Sequence, residues 1–252
     1  EPAKNIILPQ SYRVPQAVQQ IADQILNRIP DNRRIKKQWA SRPEGGSVNH
    51  VTSIEDVPLY EGDWLILART NDKLIKLKSI LQEMAIYFEI KGRKSYKTRL
   101  YTAVKHYTRW TKGDKLSLSE CKDLFEFLEL EQELKEERMY DLKEFNYSIE
   151  DQWYEVFKSD PEECLYIREM LRNKEELSHP ARVKLSTIHA AKGGEATNVL
   201  IILDNTKKIR EAVDKSEDKH DEEHRVWYVG VTRTKQNLYI MTPKREDRSY
   251  DI

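Results

Sequence analysis

Buried-strand patterns that alternate with helical patterns constrain the fold of this chain more than any other feature. The runs DWLILART (63–70), RVKLST (182–187), NVLIIL (198–203) and NLYIMT (237–242) are rich in the residues of strands covered on both faces. Helical spacing separates them, for example in NDKLIKLKSILQEM (71–84) and over much of DEEHRVWYVGVTRTK (221–235). This alternation predicts an α/β fold with a largely parallel sheet.

The other segments add shorter elements to this plan. We expect a short strand at Ile6–Leu8, a helix over 14–29, a mostly loop segment with short strands over 31–60, a short strand in AIYFEI (85–90) and a helix over 95–110. Residues 116–177 look helical throughout, with Ser119 and Asp160-Pro161 as helix starts.

The formal net charge of zero hides an asymmetry along the chain. Residues 117–179 contain 19 acidic and 8 basic residues, a balance of −11, so the remainder carries +11. A basic body suits a polyanionic partner, although charge runs are also common on ordinary solvated helices. No apolar run is long enough to span a bilayer, and Cys121 and Cys164 lack metal-ligand spacing, which predicts free thiols in the cytoplasm and no metal site.

The stretch HAAKGGEATNVLIIL (189–203) tests whether the chain carries a phosphate-binding loop. Such a loop needs the order G-x-x-x-x-G-K-[ST], in which the lysine follows the glycines and a hydroxyl follows the lysine. Here Lys192 precedes Gly193 and Gly194, and Glu195 stands in place of the hydroxyl. No other stretch of the sequence has the required order, so we expect no phosphate loop in this chain.

Four stretches, in the correct order, instead resemble conserved segments of UvrD/Rep-type superfamily 1 DNA helicases. LPQSYRVPQAVQQIADQI (8–25) resembles L-x-x-N-Y-R-S with its helix, and LILART (65–70) with Asn71 resembles the R-T-N segment. STIHAAKGGE (186–195) resembles T-x-H-x-x-K-G-x-E, and EEHRVWYVGVTRTKQNLYI (222–240) resembles E-E-R-R-L-x-Y-V-A-x-T-R-A-x-x-x-L. Departures from the family's usual residues include Ser11 for Asn, Gly194 for Leu, Ala196 for Phe, His224 for Arg and Thr234 for Ala.

The resemblance implies the second RecA-like motor domain of an ATP-dependent DNA helicase or translocase that moves 3′ to 5′ on single-stranded DNA. Residues 1–116 and 180–252 would form this domain, and 117–179 an acidic helical insertion that contacts duplex DNA, regulates or docks a partner. ATP with Mg²⁺ would bind against an N-terminal RecA-like domain of the same protein that carries the phosphate loop. Single-stranded DNA and duplex junctions would be the nucleic-acid partners.

The same resemblance implies roles at the ATP. Arg233 matches the arginine finger and Arg13 a second arginine that reaches the γ-phosphate, although a surface salt bridge is the ordinary role of either side chain. Tyr12 matches the tyrosine that stacks on adenine, or else is a core or rim tyrosine. Glu195 matches the acid that binds the ribose, and Gly193 permits close backbone approach or an unusual dihedral angle.

On the DNA side, Arg69, Thr70 and Asn71 match the R-T-N contacts to single-stranded DNA, and Thr187 and His189 match DNA-facing positions. His189 fits a structural histidine equally well. Two alternatives stay open for the whole protein: a subunit of a helicase–nuclease complex, and a degenerate RecA-like module that binds nucleic acid or protein without hydrolysing ATP.

Overall fold

The computed structural model describes residues 10–35, 39–43, 45–130, 132, 134–145, 147, 152–243 and 249–252. Its strands are β1 (Gln10–Pro15), β2 (Ala40–Arg42), β3 (Ser47–Val51), β4 (Trp64–Ala68), β5 (Phe88–Ile90), β6 (Arg93–Lys94), β7 (Val183–Thr187), β8 (Ala196–Ile202) and β9 (Thr234–Met241). Its α-helices are α1 (Gln16–Leu26), α2 (Asn71–Glu83), α3 (Thr98–Thr111), α4 (Leu118–Leu128), α5 (Trp153–Val156), α6 (Pro161–Arg172), α7 (Lys207–Lys215) and α8 (Glu217–Val231). The strand predicted at Ile6–Leu8 lies outside the described residues.

The chain divides into two compact units. The first contains the described residues within 1–80, 88–92 and 181–252, and the second those within 81–87 and 93–180. The second unit therefore begins earlier in the chain than the acidic segment 117–179 and includes α3. No described helix is long and apolar enough to cross a membrane.

The first unit is built on a parallel sheet. Within the unit, the strands of this sheet run in the order β3-β9-β8-β4-β7-β5, and each neighbouring pair among them is parallel. All five residues of β4 are buried, as expected for a central strand with both faces covered. The predicted α/β class with a largely parallel, RecA-like sheet is confirmed.

Helices α1 and α8 both contribute apolar residues to the core of this unit. The buried residues of α1, Val18, Ala22 and Ile25, recur every three or four positions and therefore share a face. They belong to the same core cluster as Trp227 and Val231 of α8. Helix α8 begins at Glu217 and ends at Val231, so it covers much of 221–235, as predicted, and Arg233 lies just after its end.

The connection between β7 and β8 places the predicted functional residues. Strands β7 and β8 are both parallel to β4, which lies between them, so β7 ends at the carboxyl edge of the sheet and β8 begins at the amino edge. Residues 188–195 cross the sheet between these edges. Thr187 consequently lies at the carboxyl edge, whereas Glu195, immediately before β8, lies at the amino edge.

The second unit is mainly helical but contains less helix than the sequence predicts. After α4, the described residues of 129–141 are not helical, and Leu116 and Tyr140 form an antiparallel bridge. Helix α4 begins at Leu118 with Ser117 as its cap, because Ser117 and Glu120 form a capping box; the predicted start at Ser119 is wrong. The predicted start of α6 is confirmed, since the Asp160 side chain caps the helix that begins at Pro161.

Candidate functional site

Charged side chains from three separate segments meet at the amino edge of the sheet. Glu195 accepts from Arg13, with 3.3 Å between Oε2 and Nη1, and from Lys235, with 2.7 Å between Oε1 and Nζ. Arg13 comes from β1, Glu195 from the crossover and Lys235 from β9. The hydrogen bond from Lys235 is the main cause that lowers the pKa of the Glu195 carboxyl group, and Arg13 adds to it.

Arg233 joins this group from the turn between α8 and β9. Its Nε donates to the carbonyl of Val229 at 2.9 Å, and its Nη1 lies 3.4 Å from the carbonyl oxygen of Gly194. Burial, followed by the positive charge of Arg13, lowers the pKa of the Arg233 guanidinium from its ordinary value. The positive charges of Arg13 and Arg233 thus act on the same region, which favours an anionic ligand there.

Arg13 has bonding capacity that the described residues do not use. Its Nη1 meets Glu195, but its buried Nε has no hydrogen-bond partner among the described residues. An unpaired buried donor on a charged group is costly unless a ligand or water satisfies it. Arg13 is therefore suited to a second anionic contact.

Tyr12 and Gly193 flank this charged group in the sequence and are both exposed. The Tyr12 side chain is 86% exposed, which excludes a place in the core. Gly193 has φ of +91°, a left-handed conformation that favours glycine, and a Cβ there would meet nothing within 4 Å. The predicted unusual dihedral angle is present at Gly193, and its predicted contact with a ligand stays a prediction.

The predicted DNA-facing residues gather at the opposite, carboxyl edge. Arg69 and Thr70 follow β4, Asn71 opens α2, and Thr187 and His189 lie at and just after the end of β7. The backbone N–H of Ile188 donates to the carbonyl of Ala68 at 3.0 Å, which holds the two strand ends together. Arg69 Nη1 lies 3.5 Å from Nδ1 of the exposed His189.

Two charged residues in these groups were missed by the sequence predictions. Lys235 lies two residues after Arg233, and it binds the same Glu195 carboxylate as Arg13. Its position at the start of β9, close to Arg233, is the sequence feature that could have indicated this role. Glu223 is buried and forms an ion pair with Arg69 at 2.9 Å. The sequence feature that could have indicated it is the glutamate pair of EEHRVWYV, in which Glu222 is exposed and Glu223 is buried.

A metal centre has no support in the described part of the chain. No group of three or more His, Cys, Asp or Glu side chains there is arranged to hold a metal ion. Both cysteines, Cys121 and Cys164, are free and buried, and burial raises the pKa of each thiol.

Comparison with known proteins identifies the family. The sequence profile of the UvrD-like helicase C-terminal domain matches residues 66–245. Among solved structures, the crystal structure of the C-terminal domain of a possible DNA helicase from Lactobacillus plantarum WCFS1 is similar over 92% of this chain and 88% of that chain, with 12% sequence identity and a TM-score of 0.27. No curated protein sequence matches. Because the profile covers most of the chain, the protein belongs to the UvrD-like helicase C-terminal domain family.

Proposed function

We propose that this chain is the C-terminal motor domain of an ATP-dependent DNA translocase that moves 3′ to 5′ on single-stranded DNA. The observation that carries the proposal is the amino-edge cluster, in which Arg13 and Lys235 bind the carboxylate of Glu195 and Arg233 bonds the carbonyl of the preceding Gly194. Such an excess of positive charge suits the phosphates of a nucleotide. ATP with Mg²⁺ would supply the phosphoryl group whose transfer to water drives movement.

The residues of the cluster fit the triphosphate end of ATP in distinct ways. Arg233 is held by two backbone carbonyls and is thereby aimed, so it serves as the finger that offsets negative charge during transfer. Arg13 binds the phosphates with its unpaired Nε, and Glu195 accepts from the ribose once the phosphates compete for its cationic partners. Tyr12 offers an exposed ring for stacking on the base.

The carboxyl edge is the proposed single-stranded DNA surface: Thr70, Asn71, Thr187 and His189 contact the DNA, and Arg69 contributes through its contact with His189. Thr70 Oγ1 is buried and has no partner within the described part of the chain, so it retains a hydrogen bond for a ligand. Hydroxyl, amide and imidazole groups bind phosphate and sugar without reading sequence, as translocation requires. Duplex junctions and an N-terminal RecA-like domain of the same protein are the remaining partners, and the free cysteines fit a cytoplasmic protein.

Two other functions fit the same fold. A subunit of a helicase–nuclease complex would share the motor and add a nuclease elsewhere. A degenerate module that binds nucleic acid or protein without hydrolysing ATP would have no use for an aimed Arg233. The arrangement of Arg233 therefore favours the motor.

The test is Arg233→Ala in the full-length protein, with the DNA-stimulated ATPase rate as the readout. We expect kcat to fall about 10³-fold, the lower end of the effect of an arginine finger. Arg172→Ala, which removes a 79% exposed arginine of the second unit, is the matched control and should leave the rate unchanged. An unchanged rate in Arg233→Ala would instead favour the degenerate module.

A further inference from the structure

Arg69 forms a nearly buried ion pair that its predicted role in DNA binding does not explain. Its Nε lies 3.0 Å from both carboxylate oxygens of Glu223, and its Nη2 lies 2.9 Å from Oε2. The side chains are only 17% and 5% exposed, respectively. Glu223 also accepts from Nε1 of the fully buried Trp227 at 2.7 Å, so the carboxylate is held from two sides.

This pairing weakens Arg69 as a phosphate ligand. A guanidinium that already faces a carboxylate at hydrogen-bond distance has its charge offset, so an additional phosphate gains less from it than from an unpaired arginine. Breaking the pair would also leave Glu223 buried and charged without a counter-ion, which is unfavourable.

The remaining guanidinium nitrogen reaches the neighbouring histidine. Arg69 Nη1 lies 3.5 Å from Nδ1 of His189, and arginine can only donate. Nδ1 of His189 must therefore accept, which places its proton on Nε2. The Nε2–H of this exposed side chain is left as a donor for a DNA phosphate.

Glu223 also connects Arg69 to the amino edge of the sheet. It lies on α8, which runs about 12 Å further to Val231, two residues before Arg233. Along this helix Gly230 approaches the side chain of Ile188, the residue before His189. Arg69 thus contacts one residue of the proposed DNA surface and one residue of the helix that leads to Arg233.

We propose that Arg69 is a positioning residue that couples DNA binding to ATP hydrolysis. Through His189 it senses DNA at the carboxyl edge, and through Glu223 it fixes α8 and hence Arg233 at the amino edge. The proposal rests on the proposed motor function and assigns Arg69 and Glu223 to one unit.

The test is a double-mutant cycle in the full-length protein with Arg69→Gln, Glu223→Gln and the double variant. The readouts are the ratio of kcat with and without single-stranded DNA, and DNA affinity over a range of salt concentrations. If the pair acts as a unit, each single variant lowers the ratio about tenfold and the double variant lowers it no further. The slope of log affinity against log salt stays at the wild-type value in all three.

A control variant and two further results distinguish a coupling role of Arg69 from a direct DNA contact. Arg99→Gln breaks an exposed pair with Glu126 in the second unit and should leave the ratio unchanged. The proposal is overturned if Arg69→Gln alone weakens DNA binding and lowers the salt slope by about one, as the loss of a phosphate contact would, or if the two single effects multiply. A wild-type protein without DNA-stimulated ATPase would overturn the proposed function as well. Where the glutamine variants fail to fold, Arg69→Lys and Glu223→Asp replace them. These variants keep both charges but break the bidentate contact between the guanidinium and the carboxylate, and we expect the same changes in the kcat ratio and the same salt slope.

Discussion

At the residue scale, His224 shows how one family departure changes the physics of its site. It stands where the family pattern has arginine, and it is buried with 6% exposure. Its Nδ1 hydrogen-bonds the Tyr250 hydroxyl, and its Nε2 lies 3.0 Å from Nε2 of His220. Burial, and then the nearby charges of His220 and Arg28, lower the pKa of His224 to about 4. The site therefore holds a neutral imidazole.

This neutral histidine makes stability depend on pH. The unfolded chain binds a proton at His224 below about pH 6.5, whereas the folded protein binds it only below about pH 4. Stability is therefore lost as the pH falls through this window, by about 1.4 kcal/mol between pH 7.5 and 5.5. Urea unfolding of the wild type and His224→Gln at the two pH values should show a drop smaller by this amount in the variant.

The control for that measurement is His50→Gln, which removes an exposed histidine of the same unit. An identical pH-dependent loss in wild type and His224→Gln would contradict the lowered pKa. The departure at His224 is visible in the sequence, and helical spacing places His220 beside it, but only tertiary structure brings Tyr250 against the ring.

At the element scale, whether a helix or strand was predicted correctly from the sequence depended on the tertiary contacts that its segment makes. Strands β4 and β8 were predictable because nearly uniform burial leaves an apolar run that few other structures produce. Strands β7 and β9 were predictable because buried residues alternate with more exposed ones along part of each strand. The segment after α4 was predicted as part of the helical region 116–177. It is held instead by contacts of Tyr140, which pairs with Leu116 and lies under the Arg138 guanidinium at 4.1 Å. Helix propensity is a weak preference that such packing overrides.

Close packing of α8 on the sheet gives a prediction at Gly230. The family pattern has alanine at this position, and alanine normally stabilises a helix relative to glycine. Here a Cβ would lie 2.7 Å from Cδ1 of Ile201, which is fully buried and cannot move freely. We expect Gly230→Ala to lower the free energy of unfolding by about 1–3 kcal/mol, measured by urea denaturation.

A second substitution tests the reason for that loss. Ile201→Val removes the Cδ1 methyl group that the new Cβ would meet, so the double variant should be more stable than the sum of the two single losses predicts. Asp214→Ala, on the exposed surface of α7, should change stability by no more than about 0.5 kcal/mol. Strict additivity of Gly230→Ala and Ile201→Val would show that the contact does not cause the destabilisation.

At the scale of the whole molecule, the crossover between β7 and β8 connects the carboxyl edge of the sheet, proposed to bind DNA, with the amino edge, proposed to bind ATP. The motif STIHAAKGGE was readable as a single conserved segment, but its division between edges follows only from β7 and β8 running parallel on either side of β4. Thr187 and His189 thus face one edge and Glu195 the other. Motif matching identified these residues, whereas their buried or charged partners, Glu223 and Lys235, required the packed structure.

The proposed nucleotide site has cations at the amino edge but no phosphate loop, since no stretch of the 252 residues has the order G-x-x-x-x-G-K-[ST]. Hydrolysis needs both the cations and a second set of groups that hold Mg²⁺ and orient water. We therefore expect the purified 252-residue chain to show no Mg²⁺-dependent ATPase with single-stranded DNA, under conditions in which the full-length protein turns over. Cooperative thermal unfolding of the same sample establishes that the chain is folded. Turnover that persists through further purification, and that Arg233→Ala abolishes, would mean that this domain assembles a complete site without the other.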